Sequence, residues 1–137
     1  MTYLLDTNVI SELRRPRPHP GVLEWWNEVP AGRLYVSSLT IGELRRGVGR
    51  LQARNDHAQA QRLADWLDGL AQQFADRVLP VDTVIAEIWG RLPQHRPIPA
   101  VDGLIAATAL RHDLTVVTRN VRDFSATGVT VVDPFAS

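Results

Sequence analysis

Short apolar runs recur along this chain, most of them separated by stretches in which apolar residues return every three or four positions. The runs centre on Leu4 and Leu5, on residues 34–36, and on "RVLPVD", "LTVVTRN" and "VTVVD". The intervening return is the stripe of an amphipathic helix, whose turn takes about 3.6 residues. Strands joined through helices lie parallel, and helices then cover both faces of the sheet, so the strands read as apolar throughout. The pattern predicts an α/β fold: a three-layer sandwich with a central, mainly parallel sheet of about five short strands and helices on both faces.

The stripes place the helices. Thr7 or Asn8 can cap a first helix through Ile10, Leu13 and Arg14, stopped by Pro16, Pro18 and Pro20. A second carries Val22, Leu23, Trp26 and Val29. Ser37 or Ser38 caps a third through Leu44, Val48 and Leu51, and Leu63, Trp66, Leu67, Leu70 and Phe74 mark a fourth. Val84, Ile85, Ile88, Trp89 and Leu92 form a fifth stripe, and "RPIPA" is a loop leading into the helix of "VDGLIAATALRH".

With no linker or low-complexity segment, the 137 residues are read as one domain spanning 1–137, long enough to bury a core without covalent staples. The absence of cysteine excludes disulfides, thiolate catalysis and Cys-based metal sites, and fits a reducing compartment. All 15 cationic residues are arginine. Without lysine there is no Schiff-base amine, no P-loop lysine and no lysine partner for a phospho-aspartate. The sequence shows neither a signal-peptide pattern nor an apolar window of membrane length, so the expected location is cytoplasmic, away from membranes.

In open parallel sheets, function collects at the carboxyl ends of the strands. Asp6 follows the first strand directly, Asp82 the third, and Asn120 and Asp123 the fourth. Asp102 lies in the first turn of the helix entering that strand, and Glu43 lies early in the helix after the second. Each has an ordinary structural reading. Asp6 can cap its helix, Asp102 can favour its helix dipole, and Glu43 can pair with Arg46. Asp82 reads best as the N-cap of the helix starting at Thr83, Asp123 can pair with Arg119 or Arg122, and Trp25, Trp26, Trp66 and Trp89 read as core.

Taken together, the ordinary readings weaken. Two carboxylates about 4 Å apart repel by about 4 kcal/mol at an effective dielectric of 20, so several together take up protons or hold a cation. The ligand set is hard and oxygen-rich, with His19, His57, His95 and His112 dispersed; this favours Mg²⁺, or Mn²⁺, over zinc. Because Mg²⁺ keeps several waters, Asp6 and Asp102 are expected as nearest ligands, with Glu43 and Asp123 partly reaching the ion through water. Such a site suits phosphodiester hydrolysis by an activated water. Arginines cluster beside the acids at 14, 15 and 17, at 45, 46 and 50, and at 119 and 122; any of them could grip flanking phosphates, and Arg14, Arg15, Arg46 and Arg119 are the preferred candidates.

The segments "LLDTNVISEL", "SSLTIGELRRG", "VDGLIAATAL" and "VVTRNVRDF", in this order and spacing, resemble the PIN-domain family and, within it, the VapC and FitB-like toxin branch. The resemblance extends from Leu4 to Pro134. It implies a PIN-like sandwich and a Mg²⁺-dependent endoribonuclease toxin. It also implies inhibition by a small cognate antitoxin of VapB or FitA type and a homodimer, or a dimer of toxin–antitoxin pairs. On matching motifs, Asp6, Glu43 and Asp102 take the family's core acidic positions, and Asn8 and Thr118 its polar supporting positions. The fourth acid is open between Asn120 and Asp123; Asp123 is preferred, with Asn120 assisting. RNA as substrate, and products with 5′-phosphate and 3′-hydroxyl ends, also come from the resemblance.

Two other readings compete. In haloacid-dehalogenase phosphatases or response-regulator receivers Asp6 would be a phosphoacceptor, but "DTN" lacks the second aspartate of the former and the missing lysine counts against both. Outside enzymology, the chain would be a catalytically inactive PIN-fold binding module acting through its protein partner. The intact set of acids argues against that.

Overall fold

A computed structural model describes residues 1–136. Five strands, β1 (Tyr3–Leu5), β2 (Leu34–Ser37), β3 (Val78–Leu79), β4 (Thr115–Val117) and β5 (Val131–Val132), form one sheet in the order β3-β2-β1-β4-β5. Every neighbouring pair is parallel, with Tyr3 opposite Leu34 on one side and opposite Thr115 on the other. The sheet is thus wholly rather than mainly parallel. Among the described residues seven α-helices connect it: α1 (Thr7–Arg14), α2 (Pro20–Glu28), α3 (Ser38–Ala53), α4 (His57–Gln73), α5 (Thr83–Gly90), α6 (Ala100–His112) and α7 (Val121–Phe124).

The period of two along the strands sorts side chains between two cores. Leu5, Val36 and Val117 join Val9, Ile10, Val22, Leu44, Leu67, Leu70 and Phe74, so α1 to α4 cover one face. Leu4 and Val116 join Leu92, Ile105, Ala106, Ala109 and Phe124, so α6, α7 and the turn after α5 cover the other. Burying one leucine such as Leu67, fully enclosed, contributes about 2 kcal/mol. Helix α6 is buried around most of its circumference, at Gly103, Ile105, Ala106, Ala107, Thr108 and Ala109. Its small side chains let it lie close to the sheet, and it carries no polar stripe for that reason.

The caps refine the expected boundaries. Helix α1 is capped by Asp6, whose side chain accepts from the Thr7 backbone N–H, rather than by Thr7 or Asn8: the chain is still extended at Asp6, and its short acceptor reaches the first free N–H. Ser37 caps α3, and Asp82 caps α5 through the Ile85 N–H at 2.9 Å. Trp25, Trp26 and Trp66 pack against the first core. Trp89, expected in the core, is 42% exposed because it lies over the start of α6, where no further layer covers it.

Candidate active site

The strand order reverses direction between β1 and β4, and at such a switch point the connections leave in opposite directions and open a crevice at the carboxyl ends of the strands. Asp6 and Thr118 stand at the ends of those two strands. The Asp6 backbone N–H donates to Val117 at 2.9 Å, which makes Asp6 the last rung of the ladder. Its side chain, 4% exposed, is held by three donors. The Thr7 N–H reaches Oδ1 at 2.8 Å, while Oδ2 accepts from the Thr118 hydroxyl at 2.8 Å and the Asn8 amide at 3.1 Å. A carboxylate offers about four lone-pair sites; one remains for a cation.

The supporting residues tie the strand ends to one another. The Asn8 amide oxygen accepts from the Arg119 N–H at 3.2 Å, and the Thr118 hydroxyl accepts from the Asn120 N–H at 2.9 Å. Each bond crosses or closes the crevice, so the Asp6 oxygens cannot rotate away.

Glu43 does not pair with Arg46. Its carboxylate accepts from the Thr7 hydroxyl at 2.5 Å, and the Thr40 hydroxyl lies 3.4 Å from that of Thr7. Thr7 thus fixes an acid of α3 from the first turn of α1. Its role escaped the sequence reading because the residue looks like a helix cap; its position between Asp6 and Asn8 was the available signal.

Asp102 and Asp123 enter from the first turns of α6 and α7. Asp123 makes no ion pair with Arg119 or Arg122. It lies near enough to Asp102 for its negative charge to bear on that carboxyl. The Asp102 carboxyl is pushed from the usual 3.8 to about 7, first by burial and then by the negative charges of Asp6, Asp123 and Glu43. Burial likewise raises Asp6 despite the donors from Thr118, Thr7 and Asn8, with Glu43 adding to the rise. Asp6, Glu43 and Asp123, from three other elements, thus all bear on Asp102, and Glu43 bears on Asp6. Asn120 is exposed and supplies its backbone N–H; Asp82, spent on its cap, is not among them.

The candidate arginines divide. Arg14 lies 6.0 Å from the Trp66 ring centroid. Arg119 stands 3.9 Å over the Phe135 ring beside the crevice. Arg15 instead pairs with Glu12 at 3.4 Å, and Arg46 is exposed with no ion pair among the described residues. Glu12 itself is a buried acid that went unread. Its carboxyl is held below the usual range, chiefly by the His19 N–H at 3.0 Å, and it fastens the turn between α1 and α2.

Toxin FitB of Neisseria gonorrhoeae is 38% identical to this chain, covering 96% of it and 97% of FitB. The crystal structure of FitAcB from that organism superposes with a TM-score of 0.91 at 37% identity, covering 99% of this chain and 100% of the other. The VapC ribonuclease Y4jK of Sinorhizobium fredii is 35% identical over 96% of each chain. A toxin–antitoxin complex from Klebsiella pneumoniae shares 26% identity and a TM-score of 0.69, covering 97% of this chain and 98% of that one. Residues 3–129 match the family model described as PIN domain, and with the sheet order, the switch-point acids and these relatives, the chain belongs to the PIN-domain family.

Proposed function

We propose that this chain is a metal-dependent endoribonuclease toxin of a type II toxin–antitoxin module, acting in the cytoplasm and restrained by a small cognate antitoxin. The observation that carries the reading is the mutual charge of Asp6, Glu43, Asp102 and Asp123 on the crevice between β1 and β4. Their repulsion is the kind a divalent cation relieves. The relatives named as ribonucleases and toxins supply the substrate class and the biological setting. No helix among the described residues is long and apolar enough to cross a membrane.

The residues fit a hard cation. Every donor is a carboxylate, amide or hydroxyl oxygen, which suits Mg²⁺ or Mn²⁺. Among the described residues no three carboxylates or imidazoles converge into a ready-made metal cage, and Mg²⁺ is commonly held by one or two direct carboxylates with waters completing its shell. Asp6 and Asp102 would hold it, with Glu43 and Asp123 reaching it partly through water. When bound, the ion supplies Lewis-acid polarisation of the phosphate and a water acidic enough to attack. Thr118, Asn8 and the Thr7 backbone lock the Asp6 oxygens, and the Thr7 hydroxyl locks Glu43. Such fixed acceptors need little rearrangement as charge develops on the phosphate. Asp123 is the fourth acid of this reading, and Asn120 assists through its backbone. Arg119, whose backbone N–H donates to Asn8 at 3.2 Å, is a cation beside the crevice that could meet a substrate phosphate.

The test is cleavage of RNA by the purified protein in Mg²⁺, with mapping of the ends. Products carrying 5′-phosphate, complete suppression by EDTA and inactivity of Asp102→Asn are expected. Cleavage that persists in EDTA would refute metal dependence. Co-expression with the neighbouring small reading frame should yield a complex and relieve toxicity; free, still toxic protein would refute the antitoxin assignment. A dimer by light scattering is the expected assembly.

A further inference from the structure

Helices α1 and α3 lie side by side beyond the acids, and each presents a matched series at steps of four and then three residues. On α1 the series is Thr7, Ser11, Arg14; on α3 it is Glu43, Gly47, Arg50. Residues at such steps share one helix face. All six line a single cavity of about 280 Å³. Its near end is acidic, where Thr7 holds Glu43. Seven residues further along each helix, about 10 Å by helical rise, its far end is basic.

The basic end is free. Among the described residues neither Arg14 nor Arg50 pairs with a carboxylate, whereas Arg15, Arg45, Arg77 and Arg91 all do. Arg14 is steadied 6.0 Å from the ring centroid of Trp66 on α4. Gly47 keeps the floor open. A Cβ there would stand in contact with Leu63 Cδ2 at 3.4 Å and near the Arg50 guanidinium at 3.9 Å, so a side chain longer than alanine would occupy space the cavity now offers. Two unpaired guanidiniums at the end of a cavity whose walls also include Leu44 and Leu63 match a phosphodiester, which accepts bidentate hydrogen bonds from arginine.

We infer that this cavity is a subsite for the RNA backbone, in which Arg14 and Arg50 bind a phosphate flanking the scissile one and draw the strand across Glu43. The inference rests on the ribonuclease reading and extends it: Arg50 joins the substrate-binding residues, and the strand gains a direction over the α1–α3 face. An acidic centre repels a polyanion wherever no cation screens it, so the arginine end supplies the attraction that the acids lack.

The experiment is an anisotropy titration of a labelled single-stranded RNA at several salt concentrations in EDTA, with KM measured in parallel in Mg²⁺. Arg14→Ala/Arg50→Ala is expected to weaken binding and raise KM about tenfold. The slope of log affinity against log salt should become shallower by about 0.7 for each phosphate that is no longer neutralised. Ser11→Glu, at an exposed position on the rim, places a carboxylate at the entrance one helical turn from Arg14, where it competes with a phosphate for that guanidinium, and should act in the same direction. RNA binding with wild-type affinity and salt slope in both variants overturns the subsite, whether or not the wild-type protein cleaves RNA. Loss of antitoxin capture with RNA binding unchanged also overturns it, by assigning the cavity to the protein partner. Failure of the wild type to cleave any RNA while the binding differences hold would strike the ribonuclease reading alone.

Discussion

Raising the pH should destabilise the metal-free protein, and Asp102 should be the main reason. Its carboxyl titrates near 7 in the folded chain against the usual 3.8, while the unfolded chain releases the same proton near the ordinary value. Between about pH 4 and 7 the folded state therefore binds more protons, and stability falls as pH rises through that window. The full difference corresponds to at most about 4 kcal/mol. Asp102 is only partly buried, and solvent screening reduces the effect to about 1–2 kcal/mol. For a chain of this length 1 kcal/mol moves Tm by about 3–4 °C, so a loss of about 3–8 °C is expected on going from pH 5 to pH 8 in EDTA. Excess Mg²⁺ should restore it, since a ligand at ten times its Kd adds about 1.4 kcal/mol, and the gain should be larger at pH 8, where the acids are charged. The assay is calorimetry of wild type against Asp102→Asn, so that titrations common to both cancel in the difference. A wild-type-minus-variant Tm that stays flat from pH 5 to 8, or equal Mg²⁺ stabilisation of the two proteins, would refute the reasoning.

Asp6→Asn should abolish RNA cleavage, by at least a hundredfold, while Tm holds or rises: asparagine still caps α1 and the burial that raises the Asp6 carboxyl no longer acts against a charge. A large drop in Tm would show that the charge supports the fold. Thr118→Val removes the hydroxyl that bridges Asp6 and the Asn120 N–H, and should cost about 1–3 kcal/mol in denaturant unfolding together with most of the activity; Thr118→Ser should retain both. Gly103→Ala brings a Cβ to 2.8 Å from Trp89 Nε1. Displacing that ring should cost about 1–3 kcal/mol, partly offset by about 1 kcal/mol of helix propensity, and should alter the tryptophan fluorescence, which is the readout.

The layered fold was legible because its signals are local. Leu4 and Leu5, adjacent in sequence, face opposite cores, and runs such as these and residues 115–117 could only be strands covered twice. Helix α7, of four residues, and the short turn at Ala31–Arg33 were not anticipated, since one turn is too short to show a period. The acids were visible as charges placed where strands end. What ties them down was not visible. The Thr7–Glu43 bond depends on α1 lying against α3, and the burial of Glu12 depends on the fold of the turn that follows it; neither packing leaves a pattern in a single segment.

The sheet centre has a temporal consequence. Tyr3 pairs with Thr115, and Asp6 receives its hydroxyl donor across 112 positions of sequence. A nascent chain still threading through the ribosome carries Asp6 and Glu43 but neither their remaining companions nor the strand that steadies them. The crevice is therefore incomplete in an unfinished copy, and it closes only once the residues beyond 100 are free to fold back on the N-terminal strand.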